Sequence, residues 1–116
     1  MTNKIVVLVT CGTEKEARKI ARTLVERRLA ACVNLFSVPV QSIYRWRGKV
    51  ESAEEFLLTV KTSRKRFRAI AAAVKRLHSY DVPEIIALPI AAGAAEYLDW
   101  ILESVRERDA TKAERH

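Results

Sequence analysis

Apolar positions along this chain follow two periods, and the switches between them lay out its elements. Lys4 to Cys11 is short, β-branched and apolar, and reads as a strand. Thr13 with Glu16 three residues on is a capping-box pattern that opens a helix. Ala17, Ile20, Ala21, Leu24 and Val25 form its inward face at helical spacing. Arg27 and Arg28 fall in its last turn, where positive charge suits the helix dipole. Ala31 to Trp46 reads as mostly extended, with Pro39 marking a bend, bulge or edge position. Gly48 turns the chain into a returning strand, Glu55 to Thr62. Ser63 then caps a second helix with the apolar face Phe67, Ile70, Ala71, Val74 and Leu77. Beyond His78 to Glu84, Ile85 to Ile90 reads as a further strand. Gly93 precedes a third helix with Leu98, Ile101, Leu102 and Val105 on one face.

The order is βαβ, βαβ, then α. It predicts one α+β domain over residues 1–106, a ferredoxin-like βαββαβ sandwich with an extra C-terminal helix. Residues 107–116 are charged and are expected to form a disordered tail. In such a fold one sheet face packs on helices and the other meets water, so strands should alternate. Ile5-Val6-Val7-Leu8-Val9, Phe56-Leu57-Leu58 and Ile85-Ile86-Ala87-Leu88 are apolar on both faces. Something must cover the second face. The third helix can cover part of it, and a second copy of the chain is expected to cover the rest.

Composition narrows the class. With 49% hydrophobic and 30% charged residues the chain is globular rather than disordered. No apolar run reaches the roughly 18 residues of a transmembrane helix, so no membrane partner is expected. The short run Ile5 to Val9 lacks the length and cleavage site of a signal peptide, which points to the cytoplasm. Cys11 and Cys32 are then expected as free thiols. The net charge is +7, with clusters at Arg45, Arg47 and Lys49, at Lys61 to Arg68, and at Lys75 and Arg76. These read as solvated faces. A nucleic-acid role fares poorly. The strand that would carry stacking rings in an RNA-recognition module reads Glu51-Ser52-Ala53-Glu54-Glu55-Phe56, acidic and then aliphatic.

The candidate chemistry concentrates at His78-Ser79-Tyr80-Asp81-Val82-Pro83-Glu84, between a helix and a strand. His78 with Glu84 can ligate copper or zinc, and Cys11 can complete the set. The alternative is structural: His78 ends its helix as a cation and Glu84 pairs with an arginine. Cys11 lies just before a helix start, where a thiol pKa is lowered. Cys32 sits among apolar residues and reads as core. Tyr44, Arg45, Trp46 and Arg47 interleave aromatics with arginine, as subunit contacts do. No Ser-His-Asp set or phosphate loop is present, so no enzymatic activity is expected.

Five segments in register carry a resemblance: Leu29-Ala30-Ala31-Cys32-Val33-Asn34, Ser42-Ile43-Tyr44-Arg45-Trp46, Lys61-Thr62, His78 through Ile85, and Tyr97-Leu98-Asp99-Trp100. Together they resemble the CutA family, the divalent-cation-tolerance proteins, from about Ile5 to Ile101. The resemblance implies a ferredoxin-like homotrimer, a cytoplasmic location, a link to copper and other divalent ions, no required cofactor, and kinship with PII signalling trimers. Carried over, the family's histidine is His78, its glutamate Glu84, and the cysteine of its Ala-Ala-Cys segment Cys32. Many members have proline where this chain has Ser79. A cysteine some members carry near the end of the first strand falls at Val9, with Cys11 one strand period further on. Two further readings stand beside metal binding. One is a PII-like trimer holding a small anion in intersubunit clefts lined by Tyr44, Arg45, Trp46, Arg47 and Lys61, with Tyr80 and Trp100 as further interface residues. The other is a scaffold for a protein partner.

Overall fold

The computed structural model describes residues 2–107; the tail expected over 107–116 lies, but for Glu107, outside the described residues. The elements run β1 (Lys4–Cys11), α1 (Glu14–Glu26), β2 (Cys32–Leu35), β3 (Val40–Trp46), β4 (Lys49–Ser63), a 3-10 turn (Arg64–Arg66), α2 (Phe67–Leu77), β5 (Ile85–Pro89) and α3 (Ala95–Ser104). Four strands align as β2-β4-β1-β5, every neighbour antiparallel, and β3 also pairs with β4. β1 and β2 therefore run parallel with β4 between them, and β4 and β5 run parallel with β1 between them. These are two split βαβ halves of an α+β fold, with α1 and α2 as the crossovers.

One core explains the arrangement. Ile5, Val7, Val9 and Cys11 of β1 face Leu58 and Val60 of β4, and Ile20, Leu24, Ile70 and Val74 of the two helices close over them. The alternate residues form the second sheet face. Val6, Leu8 and Leu57 are half-buried there, while Ile86 and Leu88 are each 49% exposed. α3 packs on β4 and β1, with Leu98, Ile101 and Val105 gathered around Ala31. Arg28 and Arg66 tie down its C-terminal end by donating to the carbonyls of Ser104 and Val105. Free carbonyls and the negative end of the helix dipole favour such guanidinium partners.

Four expectations change. The extended stretch Ala31 to Trp46 is two strands. Its break, Phe36 to Pro39, spans four residues where β4 uses only Phe56 and Leu57, so Pro39 sits at an irregularity where no ladder bond is needed. β4 begins at Lys49, not Glu55. Lys49 to Glu54 carry no inward apolar face because they pair only with β3 in a two-stranded ribbon that stands clear of the core. Ser63 makes no side-chain cap; a 3-10 turn intervenes before α2. Val25 and Leu102, read as inward, are exposed.

The ribbon closes through Arg47 (φ 50) and Gly48 (φ 82), both in the left-handed region that two-residue hairpin turns require. Nothing lies within 4 Å of a Cβ added at Gly48, so the cost of a side chain there is purely that of its backbone conformation. Gly48→Ala should destabilise the protein by about 1 kcal/mol. Urea denaturation checks this; an unchanged midpoint would contradict the turn geometry.

Candidate functional site

His78 follows the last residue of α2 in an extended conformation (φ −87, ψ 142). Its side chain is fully buried. Nε2 lies 2.8 Å from the carbonyl oxygen of Thr10, near the end of β1. A carbonyl only accepts, so Nε2 carries the hydrogen and donates it. Nδ1 is left as an acceptor, and the Tyr80 amide donates to it at 3.1 Å. His78 is thus a clamp between β1 and the 78–84 segment.

Glu16 joins it from α1. Thr13 caps that helix as its spacing predicts, its hydroxyl accepting from the Glu16 amide at 3.2 Å. The reciprocal half of the capping box has another destination. The Glu16 carboxylate accepts from the Ser79 amide at 3.0 Å and the Ser79 hydroxyl at 3.3 Å, and one oxygen lies 3.5 Å from His78 Nδ1. Cys11 is buried beside them. Its thiol is pushed up to about 12 by burial, then by the negative charges of Glu16 and Glu55. The helix start at Glu14 therefore does not activate it. A Cys11 sulfur, a Glu16 oxygen and a His78 ring nitrogen lie within 4.8 Å of one another, a set that can hold a metal ion.

Glu84 lies elsewhere. It lines an open cleft of about 800 Å³ together with Thr10, Ser42, Ile43, Tyr44, Trp46, Glu55 and Ser79 to Pro83. Tyr80 crosses this cleft and donates its hydroxyl to Glu55 Oε2 at 3.0 Å. Gly12 makes room for it, since a Cβ at that position would stand 3.0 Å from the Tyr80 oxygen. Burial and Glu55 push the Tyr80 phenol up to about 12. The Glu84 carboxyl is raised as well, first by burial and then by Glu55. Among the described residues no lysine or arginine lines the cleft, and neither Glu55 nor Glu84 has an ion-pair partner.

The remaining candidates divide between two distant regions. Tyr44, Arg45, Trp46 and Arg47 occupy the ribbon, with the Arg47 guanidinium 5.5 Å from the centre of the Trp46 ring. Lys61 sits near the far end of β4 beside Cys32. Tyr97 of α3 neighbours Cys32, and Trp100 packs on Tyr97 at 5.4 Å. Tyr44 pairs with Glu51, ten positions before Lys61, and so lies about 33 Å from it along the strand. Ribbon and Lys61 can line one cleft only across two chains. Glu16 and Glu55 went unremarked as site residues in the sequence. Glu16 already had a local role as a cap, and Glu55 sat in an acidic run. The one signal for Glu16 was its spacing behind Cys11, which places both at the β1–α1 junction.

These features define an α+β protein with a sulfur, nitrogen and carboxylate cluster at the junction of β1, α1 and α2. Residues 5–104 match the family described as CutA1 divalent ion tolerance protein, and the chain belongs to that family. It is similar to the divalent-cation tolerance protein CutA of Thermus thermophilus, at 56% identity over 100 residues that cover 85% of this chain and 95% of that one. Protein CutA of Homo sapiens is 47% identical over 93 residues, covering 80% of this chain and 51% of the relative. Among solved structures, Thermus thermophilus Cut A1 superposes with a TM-score of 0.86 at 52% identity, covering 89% of this chain and 99% of that one. The Archaeoglobus fulgidus protein, described as a periplasmic divalent cation tolerance protein, gives 0.85 at 44% identity over 89% and 99% of the two chains. None of these descriptions names a catalysed reaction.

Two linked titrations follow. Folded Cys11 keeps its proton to about pH 12, while the unfolded thiol loses it near 9. Its contribution is complete below pH 9 and is lost as pH rises toward 12, at up to about 1.4 kcal/mol per pH unit. Cys11→Ser should flatten that alkaline decline in denaturation experiments, and an unaltered slope would contradict it. The raised Glu84 carboxyl means that the folded protein binds this proton more tightly than the unfolded chain does. Its cost therefore appears as pH rises through the carboxylate range. Glu84→Gln should raise Tm at pH 7, with the gain shrinking near pH 4; a lowered Tm at pH 7 would contradict it.

Proposed function

We propose that this chain is a homotrimer of ferredoxin-like subunits that binds divalent metal ions, copper first, and serves divalent-cation tolerance. Cys11, Glu16 and His78 are the ligands. The observation that carries this reading is the packing of thiol, carboxylate and imidazole within 4.8 Å. Thiolate and imidazole suit copper and zinc. The Nε2–H bond to the Thr10 carbonyl is the kind of outer contact that orients metal-bound histidines. It leaves Nδ1 facing Glu16 as the ligating atom, with the Tyr80 amide giving way. His78 Nδ1 and a Glu16 oxygen already stand 3.5 Å apart, and with the Cys11 sulfur they would hold the ion. Three protein ligands leave a position open for exchange. Glu84 stands at the neighbouring cleft as an outer carboxylate.

The trimer is supported by what one chain leaves uncovered. Ile43 is 73% exposed and Val50 66%, on a two-stranded ribbon that is marginal alone in water. Ile86 and Leu88 lie bare on the second sheet face. Exposed apolar surface of this kind marks an association site. Free thiols at Cys11 and Cys32 suit a cytoplasmic location. An anionic ligand in the cleft would draw cations from a neighbouring subunit, since the described residues lining it supply none.

Isothermal titration with Zn(II) and Cu(II) tests the metal site. Cys11→Ser and Glu16→Gln should each weaken binding at least about ten-fold. Affinity for the unmodified protein should rise with pH as the metal displaces the thiol proton. Equal affinity in both variants would sink the assignment. Light scattering should give a trimer at micromolar concentration, and a stable monomer would remove the assembly.

A further inference from the structure

The nitrogen of His78 that faces Glu16 is already engaged by the chain's own backbone. Nε2 donates to the Thr10 carbonyl, which leaves Nδ1 as the acceptor. The Tyr80 N–H donates to it at 3.1 Å. An imidazole acceptor nitrogen has one in-plane lone pair, so a metal ion and the Tyr80 amide cannot hold Nδ1 together. Tyr80 is also held at two further points. Its ring packs on the His78 ring, with centroids 4.6 Å apart. Its hydroxyl donates to Glu55 Oε2 at 3.0 Å. Glu55 is only 8% exposed, and a hydrogen bond to a buried carboxylate is worth more than one at the surface. With ring and hydroxyl anchored, the amide leaves Nδ1 only as the whole residue shifts.

Resting on the metal reading above, we infer that Tyr80 is the latch of the metal site. Its amide occupies the ligating nitrogen of His78, its bond to Glu55 keeps that amide in place, and a metal ion on His78 releases both. Ser79 stays behind. Its amide donates to Glu16 Oε1, while the Glu16 oxygen that stands 3.5 Å from His78 Nδ1 is Oε2. The bond to Oε1 can therefore persist beside a bound ion, and the chain hinges between Ser79 and Tyr80. The residues beyond the hinge lie at the surface: Tyr80, Asp81, Val82 and Glu84 are all exposed. Metal occupancy of a buried cluster is thereby transmitted to an exposed segment. The coupling is reciprocal, so a change that weakens the latch tightens metal binding.

The probe is Zn(II), added to the full-length protein and followed by calorimetry and by amide hydrogen exchange. Saturating zinc should speed exchange of the Tyr80 amide about ten-fold relative to the Ser79 amide. Tyr80→Phe keeps the ring and removes the bond to Glu55. It should bind zinc about three- to ten-fold more tightly than the unmodified protein. A tyrosine that only supported the fold would give a loss of affinity or no change. A thermal melt establishes that Tyr80→Phe folds, and the exchange measurement needs no variant. Unchanged Tyr80 exchange in protein that calorimetry shows to be zinc-loaded would overturn the latch and leave the metal site standing. Equal or weaker zinc affinity in folded Tyr80→Phe would do the same. Absence of zinc binding in the unmodified protein would overturn both.

Discussion

Everything polar at the end of this sheet hangs on one buried imidazole. His78 donates to the Thr10 carbonyl and accepts from the Tyr80 amide, so a single ring spans β1, the end of α2 and the loop beyond. The Thr10 contact is buried, and a buried group left unpaired costs about 1–3 kcal/mol. That pair of hydrogen bonds fixes where the 78–84 segment lies. It brings Ser79 onto Glu16 and Tyr80 over Gly12 to Glu55. The metal-capable cluster stands on one side of this clamp and the acidic aromatic cleft on the other.

The two sides hold charge differently. In the cluster the thiol keeps its proton, and Glu16 spends its lone pairs on Ser79, so the resting site is nearly satisfied. A metal must displace a proton and a backbone amide to enter. In the cleft burial and the neighbouring Glu55 raise the Glu84 carboxyl, and among the described residues no cation pairs with it. Stability is given up there.

Much of the scaffold was legible because its signals are local. Thr13 caps α1 through a contact three residues away, and the run Ile5 to Val9 makes a strand wherever it is placed. Pro39 announced an irregularity, and the break between β2 and β3 lies there. The apolar second face of β1 and β5 also read correctly as surface that α3 covers only in part. What was illegible depends on long-range placement. Lys49 to Glu54 carry no apolar alternation, because a ribbon standing clear of the core imposes none. Glu16 looked complete as a capping residue until Ser79, 63 positions away, took its carboxylate. Glu84 was grouped with His78 by proximity in sequence, yet the turn through Pro83 delivers it to the cleft with Glu55.

The clamp itself is open to direct observation. Long-range nitrogen-15 correlation spectra of the His78 ring, recorded with and without stoichiometric zinc, report which nitrogen holds the hydrogen and which meets the metal. The geometry predicts a hydrogen on Nε2 in both states, with Nδ1 bare in the free protein and shifted when zinc binds. A hydrogen on Nδ1 in the free protein, or loss of the Nε2 hydrogen on adding zinc, would contradict it.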